Sequence, residues 1–302
     1  TVTSGCTEAL AATFLGVLNP GDEVVMFEPF YDSYRACAAM AGAPPRFVPL
    51  RPGLGSNGGF GFDEDELRAA FTPKTRAILV NTPHNPTGKV FTREELGTIA
   101  RVCIERDVIA ITDEVYERLV YLEDRPHVSL ATLEGMAERT VTLSSLGKTF
   151  SLTGWKIGWA IAPAGLSAGV RSAHQFLTFA VATPLQHAAA EALARGEDYV
   201  RGLVEEYRAS REFLAGALER AGLRVYPTEG TYFIMADHSA LGFEDDVAFC
   251  RHLTSEIGVA AIPPSAFYSN KELGKRLVRF AFCKRRETLE EAAKRLDRLR
   301  MR

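Results

Sequence analysis

Short apolar runs rich in valine and isoleucine recur through the first half of the chain, and a stretch of helical periodicity separates most of them. The runs cover residues 23–27, 46–50, 77–81, 108–112, 141–143 and 157–162. Strands that alternate with helices pair through crossovers, so the class is α/β with a mostly parallel sheet flanked by helices. Helix starts are legible where Asp63 precedes Glu66 and where Thr92 precedes Glu95, two capping-box patterns ahead of apolar stripes. Between about 183 and 218 two long helical patterns run almost back to back, and beyond Gly222 the rhythm changes. Strands are expected there at 231–236, 259–262 and 277–282, followed by a helix carrying Leu289, Ala292, Ala293, Leu296 and Leu299. This divides the chain into a large domain, 1–190, and an interdomain helix with a smaller C-terminal α+β domain, 191–302. Residues 51–62 hold five glycines without periodicity and read as a long loop.

Composition narrows the function. Of 302 residues, 46% are hydrophobic and 24% charged, enough apolar material for a packed core and too much for disorder. The 35 basic and 38 acidic residues leave a net charge of −3, so no basic field exists to hold nucleic acid. Cys6, Cys37, Cys103, Cys250 and Cys283 are scattered, odd in number and free of CxxC spacing, which suits a reducing cytoplasm. No apolar run approaches the roughly 20 residues that cross a bilayer, so no membrane partner is expected. The opening TVTSGCTEAL lacks both an initiator methionine and a charged leader, which places the true N-terminus upstream.

Several motifs invite other readings. Gly53, Gly55 and Gly58 satisfy GxGxxG, but Gly59, Phe60 and Gly61 stand where a helix would have to open, so no helix dipole would face a pyrophosphate. Gly165, Ser167 and Gly169 satisfy GxSxG, with Asp198, Asp237, His238 and His252 downstream as partners for a serine hydrolase. Pro163 and Ala164 intervene, however, and Leu166, Val170, Ala173 and Leu177 form a stripe that begins before the serine, which puts Ser167 on an ordinary helix surface. Gly147–Thr149 imitate the end of a phosphate loop whose first glycine is replaced by Thr142. No two histidines stand at metal-ligand spacing; His127, His174, His187, His238 and His252 read as surface or core residues.

The remaining signals share one chemistry. Ser4, Gly5, Cys6 and Thr7 open a helix with Leu10, Phe14 and Leu18, an anion site at its positive end. The dipole contributes only about 1 kcal/mol, so Lys156, Ser144 and Ser145 are candidates for the charge-assisted bonds a phosphate also needs. Lys148 follows a strand among small residues, and burial beside Lys156 would depress its pKa and free an amine nucleophile. Asp113 closes an apolar strand, where a carboxylate needs a cation opposite, such as a protonated ring nitrogen. Tyr116 offers a phenol, and Asn85, on a turn set by Pro83 and Pro86, an amide donor. Singly, Asp113 also reads as a helix cap, Asn85 as a turn residue and Tyr116 as core.

The segments TSGCTEA, EPFYDSY, NTPHNPTGKVF, ITDEVYERLVY, SSLGKTFSLTGWKIGW, GTYF and VRFAFCK occur in this order. Across nearly its whole length the chain thereby resembles the class I/II aminotransferases. It is most similar to the branch of kynurenine, glutamine, methionine and succinyldiaminopimelate aminotransferases. The resemblance implies a fold type I enzyme dependent on pyridoxal 5′-phosphate. Lys148 would be the Schiff-base lysine, Asp113 the partner of the pyridine nitrogen, and Asn85 and Tyr116 donors to the ring oxygen. Gly5, Cys6, Thr7, Ser145 and Lys156 would hold the phosphate, Tyr31 would stack on the ring, and Arg279 would grip the substrate carboxylate with its planar fork. Many relatives carry arginine where Lys156 stands, so here the phosphate meets a point charge. Relatives also carry an N-terminal segment, ahead of the counterpart of Thr1, that covers the substrate and sends a tyrosine to the partner subunit's phosphate.

The implied reaction is ping-pong transfer of an amino group from an L-amino acid to a 2-oxo acid, in a homodimer with its active site at the interface. A cysteine-S-conjugate β-lyase, or the aminotransferase-like domain of a pyridoxal phosphate-responsive regulator, would use the same residues. No second arginine is placed for a side-chain carboxylate, and Phe30, Tyr31, Phe179, Tyr232, Phe267 and Tyr268 suggest a pocket for uncharged or aromatic side chains.

Overall fold

The structure, a computed structural model, describes residues 1–301. Its strands are β1 (Val2–Thr3), β2 (Glu23–Glu28), β3 (Pro45–Pro49), β4 (Arg51–Pro52), β5 (Phe60–Gly61), β6 (Thr75–Asn81), β7 (Ile109–Asp113), β8 (Thr140–Ser145), β9 (Gly158–Ile161), β10 (Arg224–Val225), β11 (Phe233–Asp237) and β12 (Leu277–Ala281). The α-helices are α1 (Gly5–Val17), α2 (Asp32–Met40), α3 (Glu64–Ala70), α4 (Arg93–Arg106), α5 (Leu146–Thr149), α6 (Ala164–Leu177), α7 (Thr183–Arg195), α8 (Glu197–Arg220), α9 (Asp246–His252) and α10 (Arg286–Leu296).

A seven-stranded sheet runs in the order β1-β9-β8-β7-β6-β2-β3. Strands β8, β7, β6, β2 and β3 are mutually parallel, β9 is antiparallel to β8, and β1 is antiparallel to β9. The central strands are apolar on both faces because both are covered. On one face Ala77, Leu79, Ile109 and Ile111 pack with Leu10 and Phe14 of α1 and Val170 of α6. On the other Ile78, Val80 and Ala110 meet Leu67 of α3 and Leu96 and Ile99 of α4. Helices α1 and α6 cross in backbone contact: a Cβ on Gly16 would lie 2.3 Å from the Gly169 carbonyl oxygen, and the reverse distance is the same.

A smaller antiparallel sheet, β10-β11-β12, packs Ile234, Ala236, Val278 and Phe280 against α8, α9 and α10. Helix α8 spans both regions, with Leu203 packed near Tyr116 and Leu119 and, further on, Leu214 and Leu218 in the small-sheet core.

Local signals held at the helix starts. Thr92 and Glu95 form a reciprocal capping box, and the Asp63 side chain accepts from the Glu66 N–H. Two expectations need correction. Residues 259–262 form no strand; only Ile262 bridges Arg279, since Pro263 and Pro264 follow and have no N–H to extend a ladder. The glycine-rich stretch 51–62 is partly ordered, its ends paired as β4 and β5. Among the described residues no helix is long and apolar enough to cross a membrane.

Candidate active site

In an open parallel sheet, side chains converge at the carboxyl ends of the strands, where the strand order reverses. Here the reversal lies between β2 and β6, and a cavity of about 340 Å³ opens at that end. Tyr31 follows β2, Asn85 follows β6, Asp113 ends β7, and Ser145 and Lys148 lie at the end of β8. Gly5, Cys6 and Thr7 begin α1 just after β1, and Lys156 precedes the antiparallel β9. Tyr116 and Arg279 complete the wall, so the residues that the resemblance assigned to cofactor and substrate all line this one cavity.

Asp113 is buried, and three donors without charge hold its carboxylate: the Tyr34 hydroxyl at 2.7 Å, the Val115 N–H at 3.2 Å and the Cys6 thiol at 3.6 Å. Burial pushes its pKa up, against the pull of these hydrogen bonds. Among the described residues no cation pairs with it. A protonated ring nitrogen would supply that missing charge.

The ends of β6 and β7 are tied together. Asn81 pairs in register with Asp113, donates its amide to the Asp113 carbonyl at 2.8 Å, and accepts the Asn85 N–H at 2.7 Å. Arg279 donates to Asn85 Oδ1 at 3.1 Å, which leaves the Asn85 amide N–H groups to face the cavity. Its guanidinium lies 4.3 Å from the Phe233 ring centroid and 5.0 Å from that of Phe267. Burial pushes the Arg279 pKa down, and among the described residues no carboxylate forms an ion pair with it.

The helix start and the lysine expected to hold the phosphate lie together. The Ser4 side chain makes no capping bond, so the first-turn N–H groups of α1 are left for another acceptor. Lys156 lies across this turn: a Cβ on Gly5 would come within 3.8 Å of its Cε. Strand β9 approaches so closely that a Cβ on Gly158 would sit 2.6 Å from the Gly5 carbonyl carbon and 2.7 Å from the Cys6 nitrogen. Only glycine fits there. The Lys148 amine donates to the Tyr232 hydroxyl at 2.7 Å, and burial raises the Tyr116 phenol well above its ordinary range, with Tyr232 beside it adding to the rise.

Comparison with known proteins decides the family. The profile described as Aminotransferase class I and II matches residues 1–296. The chain belongs to this family. This aminotransferase is 49% identical to the solved N-succinyldiaminopimelate aminotransferase of Mycobacterium tuberculosis, with a TM-score of 0.95 over 99% of this chain and 77% of the other. It is 40% identical to the methionine aminotransferase of Escherichia coli strain K12, over 99% of this chain and 76% of that protein. It is also 40% identical to the kynurenine–oxoglutarate transaminase of Dictyostelium discoideum, over 98% and 75%. The aminotransferase is therefore a fold type I enzyme that uses pyridoxal 5′-phosphate.

Other candidates fall away from its cavity. Ser144 faces the opposite side of β8 from Ser145 and donates to Glu117 at 3.1 Å. Ser167 lies in the first turn of α6, where its hydroxyl donates to the Ala162 carbonyl at 2.8 Å. Of the aromatic residues expected to shape the pocket, Tyr31, Tyr232 and Phe267 line it, whereas Phe30 and Tyr268 are buried elsewhere and Phe179 is exposed. Lys156, expected to lie buried beside Lys148, is exposed, as is the adjacent Trp155. Tyr34 and Asn81 were missed. Tyr34 stands three residues after Tyr31, the spacing that puts side chains on one helix face, so its signal was present.

Proposed function

We propose that Lys148 carries the pyridoxal phosphate of this aminotransferase, and that the enzyme moves the amino group of an L-amino acid with an uncharged side chain to a 2-oxo acid. One observation carries the reading. A buried carboxylate, Asp113, and a largely buried guanidinium, Arg279, face the same cavity as a lysine amine, and neither has an oppositely charged partner among the described residues. A molecule bearing a basic ring and a carboxylate would satisfy both.

When bound, pyridoxal phosphate supplies an aldehyde for amine exchange and a protonated ring that draws electrons from the substrate's α-carbon. Asp113 holds the proton on the ring nitrogen, steadied by Tyr34, Cys6 and the Val115 N–H. Asn85 and Tyr116, which line the cavity, would hold the ring oxygen by donation, and Tyr31 would offer the ring an aromatic face. Gly5, Cys6, Thr7, Ser145 and Lys156 receive the phosphate. Arg279 binds the α-carboxylate through its fork and so aligns the α-hydrogen with Lys148. Lys148 would hold the cofactor through its amine, and that amine, once free, would serve as the base and acid that moves the proton of the substrate's α-carbon.

The cavity-lining cations are Lys148, Lys156 and Arg279, each already assigned, and Tyr31, Leu152 and Phe267 contribute apolar wall. This supports uncharged side chains. Borohydride reduction of the loaded enzyme, followed by peptide mapping, is expected to fix the cofactor on Lys148; fixation on any other lysine refutes the assignment. A donor panel with one fixed oxo acid is expected to favour methionine, glutamine or kynurenine. Far better turnover of succinyldiaminopimelate would overturn the uncharged pocket.

A homodimer is supported by an open apolar groove between α1 and α6, lined by Leu15, Phe176 and Leu177. Phe176 is 87% exposed and Phe179 78%, an apolar surface beside the groove of the kind that marks an interaction site. A second copy of the chain would cover it. A cytoplasmic location is supported by the five free cysteines.

A further inference from the structure

The hydrogen bond between Lys148 and Tyr232 lies outside every role assigned above. A lysine stem is flexible, and an amine that must leave the cofactor and then act on one carbon atom needs something to hold it. We propose that Tyr232 is that holder, a positioning residue whose hydroxyl accepts the Lys148 N–H while the amine is detached and keeps its lone pair aimed at the α-hydrogen. The proposal rests on Lys148 as the cofactor-bearing lysine.

The backbone around Tyr232 is fixed to an unusual degree. The preceding Thr231 is fully buried at φ +66°, a left-handed conformation that a β-branched residue adopts only when its surroundings impose it. Its N–H donates to the Leu119 carbonyl at 3.0 Å, its carbonyl accepts the Tyr121 hydroxyl, and its side-chain oxygen accepts the Phe233 N–H at 3.2 Å. The Tyr232 carbonyl accepts the Phe282 N–H at 3.0 Å. The Tyr232 ring meets Tyr116 edge-on at 5.3 Å and Tyr207 at 6.3 Å. These contacts place one phenolic oxygen 2.7 Å from the Lys148 nitrogen. The Tyr116 ring lies edge-on to the same tyrosine, which sets Tyr232 between the amine and the phenol assigned to the ring oxygen. Strain of this kind in a buried residue is retained where it sets the aim of a functional group.

Tyr232→Phe deletes one oxygen and keeps every ring contact. In the loaded full-length enzyme, kcat is expected to fall about tenfold, the loss of one hydrogen bond, with KM for the amino donor within about twofold. In the cofactor-stripped full-length chain at one fixed pH, acetylation of Lys148 by acetic anhydride, followed by mass spectrometry, is expected to run at least about threefold faster because the amine is no longer held. A residue that only packed would move neither quantity. An unchanged kcat or an unchanged labelling rate overturns the proposal. Its failure is separable from that of the Lys148 assignment. Borohydride missing Lys148 in the parent removes the assignment, whereas a Tyr232→Phe enzyme that is trapped on Lys148 and turns over at the parental rate removes only the role of Tyr232.

Discussion

Arg279→Met tests whether the guanidinium is there for substrate or for the fold. Methionine fills a similar volume between Phe233 and Phe267, and its sulfur suits aromatic neighbours, so the packing survives. What disappears is a cation that burial disfavours and that forms no ion pair among the described residues, with the Asp32 carboxylate acting on it only at longer range. Two charge-assisted hydrogen bonds to the α-carboxylate, at about 1.5–3 kcal/mol each, come to roughly 3–6 kcal/mol of transition-state stabilisation, or a fall in kcat/KM of about 10²- to 10⁴-fold. Stability moves the other way or not at all. Relief of desolvation opposes the lost bond to Asn85, about 1 kcal/mol, which cavity water can replace. Steady-state kinetics with an amino acid and with the corresponding amine lacking its carboxylate separate the two roles. The variant should lose rate on the acid, keep its rate on the amine, and melt no more than about 2 °C below the parent. An equal loss on both donors, or a large drop in melting temperature, would refute the assignment of Arg279 as a carboxylate clamp.

Gly158→Ala is expected to push β9 off the start of α1, because the added methyl meets backbone atoms that have no rotamer by which to yield. Thermal unfolding should show a loss of about 1–3 kcal/mol, accompanied by weaker cofactor binding; a variant that binds cofactor as the parent does would contradict the close approach. Tyr34→Phe removes the donor 2.7 Å from Asp113, and absorbance titration should show cofactor affinity reduced by about tenfold to a hundredfold, whereas a change below twofold would mean that the bond is idle. His84 is buried against Thr87 and its pKa is lowered to about 3, mainly by desolvation, with Lys89 adding to the effect. The unfolded chain therefore binds the extra proton first, and stability present above pH 6.5 is lost as pH falls towards 3. Between pH 7 and 5 this group accounts for about 2 kcal/mol, and urea unfolding of His84→Gln should show a correspondingly flatter dependence. Equal slopes for parent and variant would count against the buried neutral imidazole.

The parallel sheet was legible because burial on both faces demands continuous apolar strands, and five such runs sit at crossover spacing. The site was legible for a different reason. Its residues follow strand ends, where small and polar residues interrupt apolar runs, as Asp113 does after Thr112. What escaped depended on direction. Ser144 and Ser145 were both candidates for one phosphate, yet adjacent strand residues point to opposite faces, so only one could serve. Tyr232 was visible as an aromatic residue, but its distance from Lys148 depends on how the small sheet docks 84 positions later in the chain. No local pattern encodes that docking. Asn81 ends an apolar strand as Asp113 does, and only the register of β6 with β7 shows that the two are partners.

Three of the six non-glycine positive-φ residues among the described residues stand in or beside segments that line this cavity. Lys156 and Ser151 lie at φ +54° in the segment that crosses its mouth, and Thr231 at +66° supports its far wall. None of these positions is glycine, although glycine would relieve all three. Lys156 supplies charge from a backbone geometry that also turns the chain into β9, and Thr231 contributes a side-chain oxygen to the bonds that fix Tyr232. A glycine would relax the conformation and delete those functions together. The cavity thus combines charges unpaired among the described residues with local strain, offset by the doubly covered sheet beneath, a combination that serves ligand binding at some cost to stability.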